Sequence, residues 1–433
     1  MGRLRFLTAG ESHGPTLGVT LEGVPAGLAL SADDLAIDLA RRQRGYGRGA
    51  RQAIEQDRAE IVAGVRHGLT LGSPILLLVP NRDWENWTRV MQVEALSEDE
   101  AAELATAAAD GNKRSTPVTR VRPGHADLAG ALKYGFSDVR NVLERASARE
   151  TAARVAAGGV ARAFLRELGI EVWSFTAEVG GVAVDPARAT RPRDEADASP
   201  LRCPDPEAET AMIARIDEAR SNGDTVGGVF EVVAHGLPIG LGSYVQWDRR
   251  LDAALAAAVM SINIVKGVEF GLGFEQTRRF GSAVHDVIEG RDPGGRWIHR
   301  TNNAGGLTGG ITNGEPLVVR GAVKPISTLA RPLASADLLT GEAVEKAHYE
   351  RSDISVVPAA GVVAEAMVML ILADAALDKF GGDSLAETKA NAAAYRERIR
   401  RAPGDGDPGD TEHATAAVHG LSGTDVAGSG GDD

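Results

Sequence analysis

Two histidines carry the first chemical signal in this sequence. His13 stands in GESHG and His125 in RPGHAD, each among small residues that leave an imidazole uncovered by packing. An imidazole exchanges its proton near neutral pH, so a ring facing a cavity suits acid–base chemistry. Pro123 and Gly124 fix a bend at the second motif, with Arg122 three residues before the ring and Asp127 two after. Either motif taken alone also fits a turn histidine bonded to backbone. His67, His235 and His299 have no comparable neighbours.

A run of arginines follows in RRQRGYGRGARQ: Arg41, Arg42, Arg44, Arg48 and Arg51. Cations at a helix end are ordinarily explained by the macrodipole and solvent, which accounts for Arg41 and Arg42. Arg48 and Arg51 sit instead in a glycine-rich loop that can fold back and aim side chains at one point. Guanidinium groups match phosphates and carboxylates through paired hydrogen bonds, so the run reads as a pocket for a small polyanion. GYGRG lacks the GxGxxG spacing of a dinucleotide site and follows a helix, not a strand. Three more segments join the list. NNAGGLTGGITNG (302–314) is either a plain turn or a loop admitting a flat or anionic ligand close to backbone. KPIST (324–328) adds a lysine and two hydroxyls, and RSD (351–353) precedes an apolar helix.

The elements that must position these residues follow from periodicity. Leu17, Val19 and Leu21 alternate with polar or small residues, as do 229–233 and 318–323, the period of half-buried strands. Ser31 and Asp34 can cap a helix carrying Leu35 and Leu39, and Ser147 and Glu150 form a capping box before Ala152, Val155, Ala156, Gly159, Val160, Ala163 and Phe164. That second helix, stopped by Gly169, buries mostly small residues and must pack closely against another helix. GVTLEGVPAGLALSADDLAIDLARR and GVFEVVAHGLPIGLGSYVQWDRRLDAALA share an order of strand, turn, second strand and helix. Duplication and chance fit this echo equally. Residues 94–116 and 185–206 read as polar surface insertions. The whole points to layers of sheet and helix in one domain, residues 1–401.

Composition narrows the function classes. The chain has 433 residues and a net charge of −13, of which seven acids lie in the Gly- and Asp-rich stretch 402–433, leaving −6 for the rest. That stretch reads as a disordered acidic tail, and an acidic body excludes general nucleic-acid binding. The single cysteine, Cys203, rules out an internal disulfide and a thiolate metal site. The N-terminus shows no signal-peptide run. Ile354 to Ala373 is apolar, yet it contains Pro358 and Glu365 and reads as a buried core helix, not a membrane span. A cytoplasmic protein is expected.

Taken together, GESHG, RRQRGYGRGARQ, RPGHADLAGALKYGF, LERASARETAARVAAGGVAR, GDTVGGVFE, NNAGGLTGGITNG, KPISTL and RSDISVVPAAGVVAEAM, in this order over about residues 3–400, resemble the chorismate synthase family. The resemblance implies an α+β fold, a layered β-α-β sandwich with helices packed between antiparallel sheets, assembled as a homotetramer. It implies a lyase that binds reduced FMN and converts 5-enolpyruvylshikimate 3-phosphate to chorismate by 1,4-anti elimination without net redox change. By matching motifs, His13 would protonate the departing phosphate, His125 would keep the reduced flavin neutral, and Asp353 would assist flavin N5 in taking the C6 proton. Ser12, Arg42, Arg48, Arg122, Arg149 and Arg351 would hold the substrate. FMN would contact Arg145, Ala146, Ser147, Asn263, Ile264, Gly309, Lys324, Pro325, Ile326, Ser327, Thr328 and Arg351. One departure stands out: Ala146 occupies a position where many relatives carry serine, so a proton relay through that hydroxyl must run otherwise here. No flavin-reductase segment is legible, so an external reductant, drawing on NADP, is expected. Two rivals share the same residues: a flavin oxidoreductase consuming a nicotinamide, and a non-catalytic phosphometabolite binder, which gives no reason for the two histidines.

Overall fold

The computed structural model describes residues 3–49, 57–185, 193–350 and 352–401. Its first half opens with β1 (Arg5–Ala9) and β2 (Thr16–Glu22), followed by helix α1 (Ala32–Gln43), β3 (Glu60–Ala63), β4 (Ile75–Pro80) and, after a peripheral segment, helix α2 (Thr151–Glu167). The second half repeats the plan with β5 (Glu171–Val179), β6 (Gly228–His235), α3 (Leu251–Met260), β7 (Val265–Phe270), β8 (Leu317–Val323) and α4 (Val357–Phe380). The sheet orders are β1-β2-β4-β3 and β5-β6-β8-β7, the second extended beyond β5 by a two-residue edge strand, Val182–Ala183, and both are antiparallel throughout. The sequence echo is therefore a repeated ββαββα unit, although no second strand forms after β2 or β6 where the echo placed one.

Alternation dictates which face of each sheet turns inward. Leu17, Val19 and Leu21 pair with Val79, Leu77 and Ile75, and all six are buried. Phe230, Val232 and Ala234 do the same in β6. Each sheet thus offers one apolar face to the helices between them. Helix α2 leans on β2 and β4, α4 leans on β5 and β6, and the two helices meet along their lengths with α1 across both and α3 beside α4. The sandwich of helices between antiparallel sheets is present, and its helical filling is two layers deep.

Small residues make that filling possible. A Cβ on Gly158 of α2 would lie 2.3 Å from the Cβ of Ala366 on α4, so only glycine permits this approach. Helix α1 starts with the reciprocal Ser31–Asp34 box. The box expected at Ser147 is not formed: Ser147 caps a single 3-10 turn, Ala148–Glu150, and Glu150 accepts the Thr8 hydroxyl and pairs with Arg154. Glu365 is the one fully buried acid in the apolar α4. It accepts both Arg41 Nη atoms at 2.7 and 2.8 Å, Arg162 at 2.7 Å, Arg202 at 3.0 Å and the Ser174 hydroxyl at 2.7 Å. Asp38 and Asp197 complete a charge-balanced cluster of three arginines and three acids. Arg41 is thus not a solvated helix-end cation. The cluster as a whole ties α1, α2, α4 and β5 together.

The insertions behave differently from each other. Helix Glu98–Ala109 has no buried residue, in keeping with a surface excursion. Residues 196–205, by contrast, send Leu201, Arg202, Cys203 and Asp205 into the interior. The expected tail 402–433 lies outside the described residues. Helix α4 is long and apolar enough to cross a membrane, but 83% of its most apolar window is buried between the sheets. A final helix, α5 (Leu385–Arg400), covers part of α4.

Candidate active site

Loops from both repeats converge on a cavity of about 460 Å³. From the first half come Ser12 and His13 in the β1–β2 turn, Arg42 in the last turn of α1, Arg48 in the loop beyond it, Arg122 and His125 in a bend, and Ala146, Ser147 and Arg149 ahead of α2. The second half supplies Asn263 and Ile264 between α3 and β7, Lys324 and Ile326 to Thr328 after β8, and Asp353 ahead of α4. Leu143, Ile262, Val356, Ala360 and Val363 give it apolar walls. A concave, mostly apolar site with a few convergent polar groups is the usual form of a small-molecule pocket.

His13 is buried, with Nδ1 2.8 and 3.0 Å from the two Glu144 oxygens. Its ring stacks on Trp87 with centroids 3.9 Å apart. His125 has a parallel arrangement, Nδ1 2.5 Å from Asp127 Oδ1. Burial works against the Asp127 charge, but hydrogen bonds from His125 and Arg122 prevail and hold its carboxyl far below the usual range. An ionised Asp127 has only acceptors to offer, so His125 carries a proton on Nδ1, while Nε2 lies 3.5 Å from Arg122 Nη2. Arg122, at 2.8 Å from Asp127 through Nε, also donates to Thr328 at 3.3 Å.

The arginine run divides. Arg42 is buried, unlike the exposed helix-end cation expected, and donates to Thr151 at 2.9 Å, to the Ala148 carbonyl at 2.9 Å and to Asp57 at 3.1 Å. Asp57 also takes Arg149, so one buried carboxylate spaces two arginines on the cavity wall. Gly47, at φ +87°, lets the loop fold back so that its carbonyl accepts the Ile354 N–H at 2.8 Å. That contact brings Arg48 within 3.3 Å of Asp353, whose other oxygen accepts the Gly49 N–H at 2.5 Å. Glu350 lines the same wall. Burial opposes its charge, yet the His348 hydrogen bond and the Arg122 charge hold it down to about 2. Burial and repulsion from Lys266 lower the Lys324 ammonium, which donates to the Gly124 carbonyl.

Not every expected residue reaches the cavity. Arg145 turns back to the Thr8 and Gly10 carbonyls at 3.0 and 3.1 Å, and Gly309 lies in the Leu307–Thr312 hairpin near Tyr244. Pro325 belongs to the lining loop without facing the cavity. Arg51 and Arg351 lie outside the described residues. Ala146 contributes its backbone carbonyl, which accepts the Asn263 side chain at 2.8 Å, while Ser147 donates to Ser12 at 3.2 Å. Sequence reasoning missed Trp87, Asp57, Glu144 and Glu350.

The arrangement unites two oriented imidazoles, the carboxylates of Asp353 and Glu350 and a cluster of guanidiniums around one space. Comparison with known proteins decides which lineage uses it. The chorismate synthase family pattern matches residues 4–377. The chain belongs to the chorismate synthase family. A chorismate synthase of Salinispora tropica is 55% identical over 399 residues, covering 92% of this chain and 99% of its own length. That of Thermobifida fusca is 54% identical over 400 residues, covering 92% and 99%. A crystal structure of chorismate synthase superposes with a TM-score of 0.72 at 43% identity, covering 92% of this chain and 98% of its own. Chorismate synthases are lyases of the shikimate pathway, and this chain is an enzyme of that kind.

Proposed function

We propose that the cavity binds 5-enolpyruvylshikimate 3-phosphate beside reduced FMN and releases phosphate by 1,4-anti elimination to give chorismate. The observation that carries the reading is the convergence of His13, His125, Asp353, Arg42, Arg48, Arg122 and Arg149 on one cavity. A substrate with one phosphate and two carboxylates needs several guanidiniums, and these are already held apart at fixed spacing by Asp57 and Asp353. His13 offers a proton to the departing phosphate. Asp353, set by Gly49 and Arg48, is the carboxylate placed to receive a proton.

The donor set also fits a flavin. Asn263, Ile264, Ala146, Ser147 and the Lys324–Thr328 loop form a wall mixing apolar surface, backbone and a partly buried lysine, which suits a flat ring with an anionic tail. Reduced FMN held there supplies an electron-rich ring and a proton-accepting nitrogen without net redox change. His125, fixed by Asp127, lines the same space, and its role would be to set the proton content of that ring. Arg145, Gly309, Pro325 and Arg351 belong to this reading through the family resemblance. So do a homotetramer, an external reductant linked to NADP, and a cytoplasmic location.

The experiment is an anaerobic mixture of protein, FMN, dithionite and the enolpyruvyl phosphate ester. Phosphate and chorismate should form in equal amounts only when FMN is reduced, with no stoichiometric consumption of reductant. Turnover with oxidised FMN, or one nicotinamide oxidised per product, would overturn the reading.

A further inference from the structure

His13 is held more firmly than a turn histidine requires. Glu144 lies 131 positions away in sequence, and its carboxylate takes both His13 Nδ1, at 2.8 Å, and the His13 backbone N–H, at 2.8 Å. The Glu144 backbone carbonyl accepts the neighbouring Ser12 N–H at 3.0 Å. One residue therefore clamps the turn by its main chain and the ring by its side chain. On the ring's face lies Trp87, tilted by 22°, and Arg140 and Arg114 stand over the same indole at 5.3 and 5.6 Å. Arg140 also approaches Glu144 at 3.5 Å, and Glu350 acts on His13 electrostatically.

An ionised carboxylate only accepts hydrogen bonds, so Nδ1 must carry the hydrogen and proton exchange falls to Nε2. We propose that Glu144 is a positioning residue for His13, fixing the tautomer and orientation in which Nε2 delivers its proton to the departing phosphate, with Trp87 fixing the ring plane. The inference rests on the lyase reading above. In the elimination, the C6 proton leaves to the base of the site, its bonding pair moves into the new double bond, and the carbon–oxygen bond breaks with its electron pair on the phosphate oxygen. The Nε2–H bond breaks, its proton joins the phosphate, and its electron pair stays on Nε2. The ring is left neutral with its remaining hydrogen on Nδ1, the form that Glu144 accepts. A second carboxylate–histidine pair, Asp127 with His125, repeats this design across the cavity.

The test needs one spectroscopic and one kinetic measurement. Histidine-¹⁵N-labelled wild-type protein at about pH 8, above the ordinary imidazole value, should show His13 with hydrogen on Nδ1 and a bare Nε2, assigned through His13→Ala. Glu144→Gln, nearly isosteric, should lose that tautomer preference, because an amide can donate as well as accept. It should lower kcat for phosphate release by about 10- to 100-fold, the usual cost of removing a ligand-orienting partner, and change the pH profile of kcat. KM should move by less than about threefold, as expected when the lost interaction acts only in the transition state. Trp87→Phe should retain more turnover than Trp87→Ala at equal melting temperature.

A wild-type spectrum with hydrogen on Nε2 would overturn the inference whatever the kinetics. So would a Glu144→Gln variant with normal kcat, or one that loses thermal stability and substrate affinity while keeping the tautomer and pH profile. If wild-type protein releases no phosphate at all, the lyase reading itself fails. If it does and Glu144→Gln matches it, only the positioning role fails.

Discussion

Replacing Glu365 by glutamine probes a buried cluster of three arginines and three acids. The side chain is fully buried and accepts hydrogen bonds from three guanidiniums and one hydroxyl. Glutamine keeps the shape but leaves three arginines against two acids, Asp38 and Asp197, and points an N–H at other donors. Breaking a buried ion pair by removing one partner costs about 3–5 kcal/mol. Unfolding entropy of about 2.1 cal/mol/K per residue over roughly 400 residues gives about 0.8 kcal/mol per degree. The melting temperature should therefore fall by about 4–6 °C at neutral pH. Burial alone would raise the Glu365 carboxyl, but Arg41, Arg202 and Arg162 outweigh it and hold it far below its ordinary 4.5. A carboxylate depressed in the folded state stabilises above its unfolded value and loses that contribution as pH falls through the folded one. The gap between wild type and variant should therefore stay constant above about pH 5.5 and narrow once pH drops below the unfolded value of about 4.5. Thermal melts of both proteins across that range measure it. A variant within one degree of wild type at neutral pH would show that the cluster is not stabilising as argued.

Three other outcomes are expected. His13→Ala and His125→Ala should each lower turnover by about 10²- to 10⁴-fold with folding intact, and phosphate-release assays at unchanged melting temperature check this. Arg48→Lys keeps charge but loses the guanidinium fork, so kcat/KM for the enolpyruvyl ester should fall by about 1.5–3 kcal/mol equivalent while FMN affinity, by flavin titration, stays nearly constant. Gly158→Ala should destabilise by about 1–3 kcal/mol through overpacking against Ala366, and a denaturant melt showing no loss would mean that the helices can separate freely.

Local pattern made much of this legible. Strand alternation at Leu17, Val19 and Leu21, the Ser31 cap, the small-residue face of α2 and the glycine-rich loop before Arg48 each follow from neighbours within a few positions. What stayed hidden depends on contacts distant in sequence. Glu144 meets His13 across 131 positions, and no spacing rule announces it. Arg41 and Arg42 look like any basic helix end, because an exposed and a buried cation have the same local sequence. The only available signals were Asp38 one turn before Arg41 and a single acid inside the apolar run of α4. Residues 185–206 misled for a related reason: a proline-rich polar stretch conceals one buried arginine that completes a core cluster.

The repeated ββαββα plan has a consequence for how the chemistry can be lost. Among the described residues, the first copy holds both imidazoles and the cavity arginines, while the second brings Asn263, Lys324 and Asp353. Two modules of one blueprint thus carry complementary cargo, and neither is a smaller edition of the whole. Severed between α2 and β5, the fragments would be chemically mute apart, each with half a vocabulary. Turnover would return only as the pieces reunite along the Gly158–Ala366 seam, so catalytic output would serve as a gauge of how completely the two modules have docked.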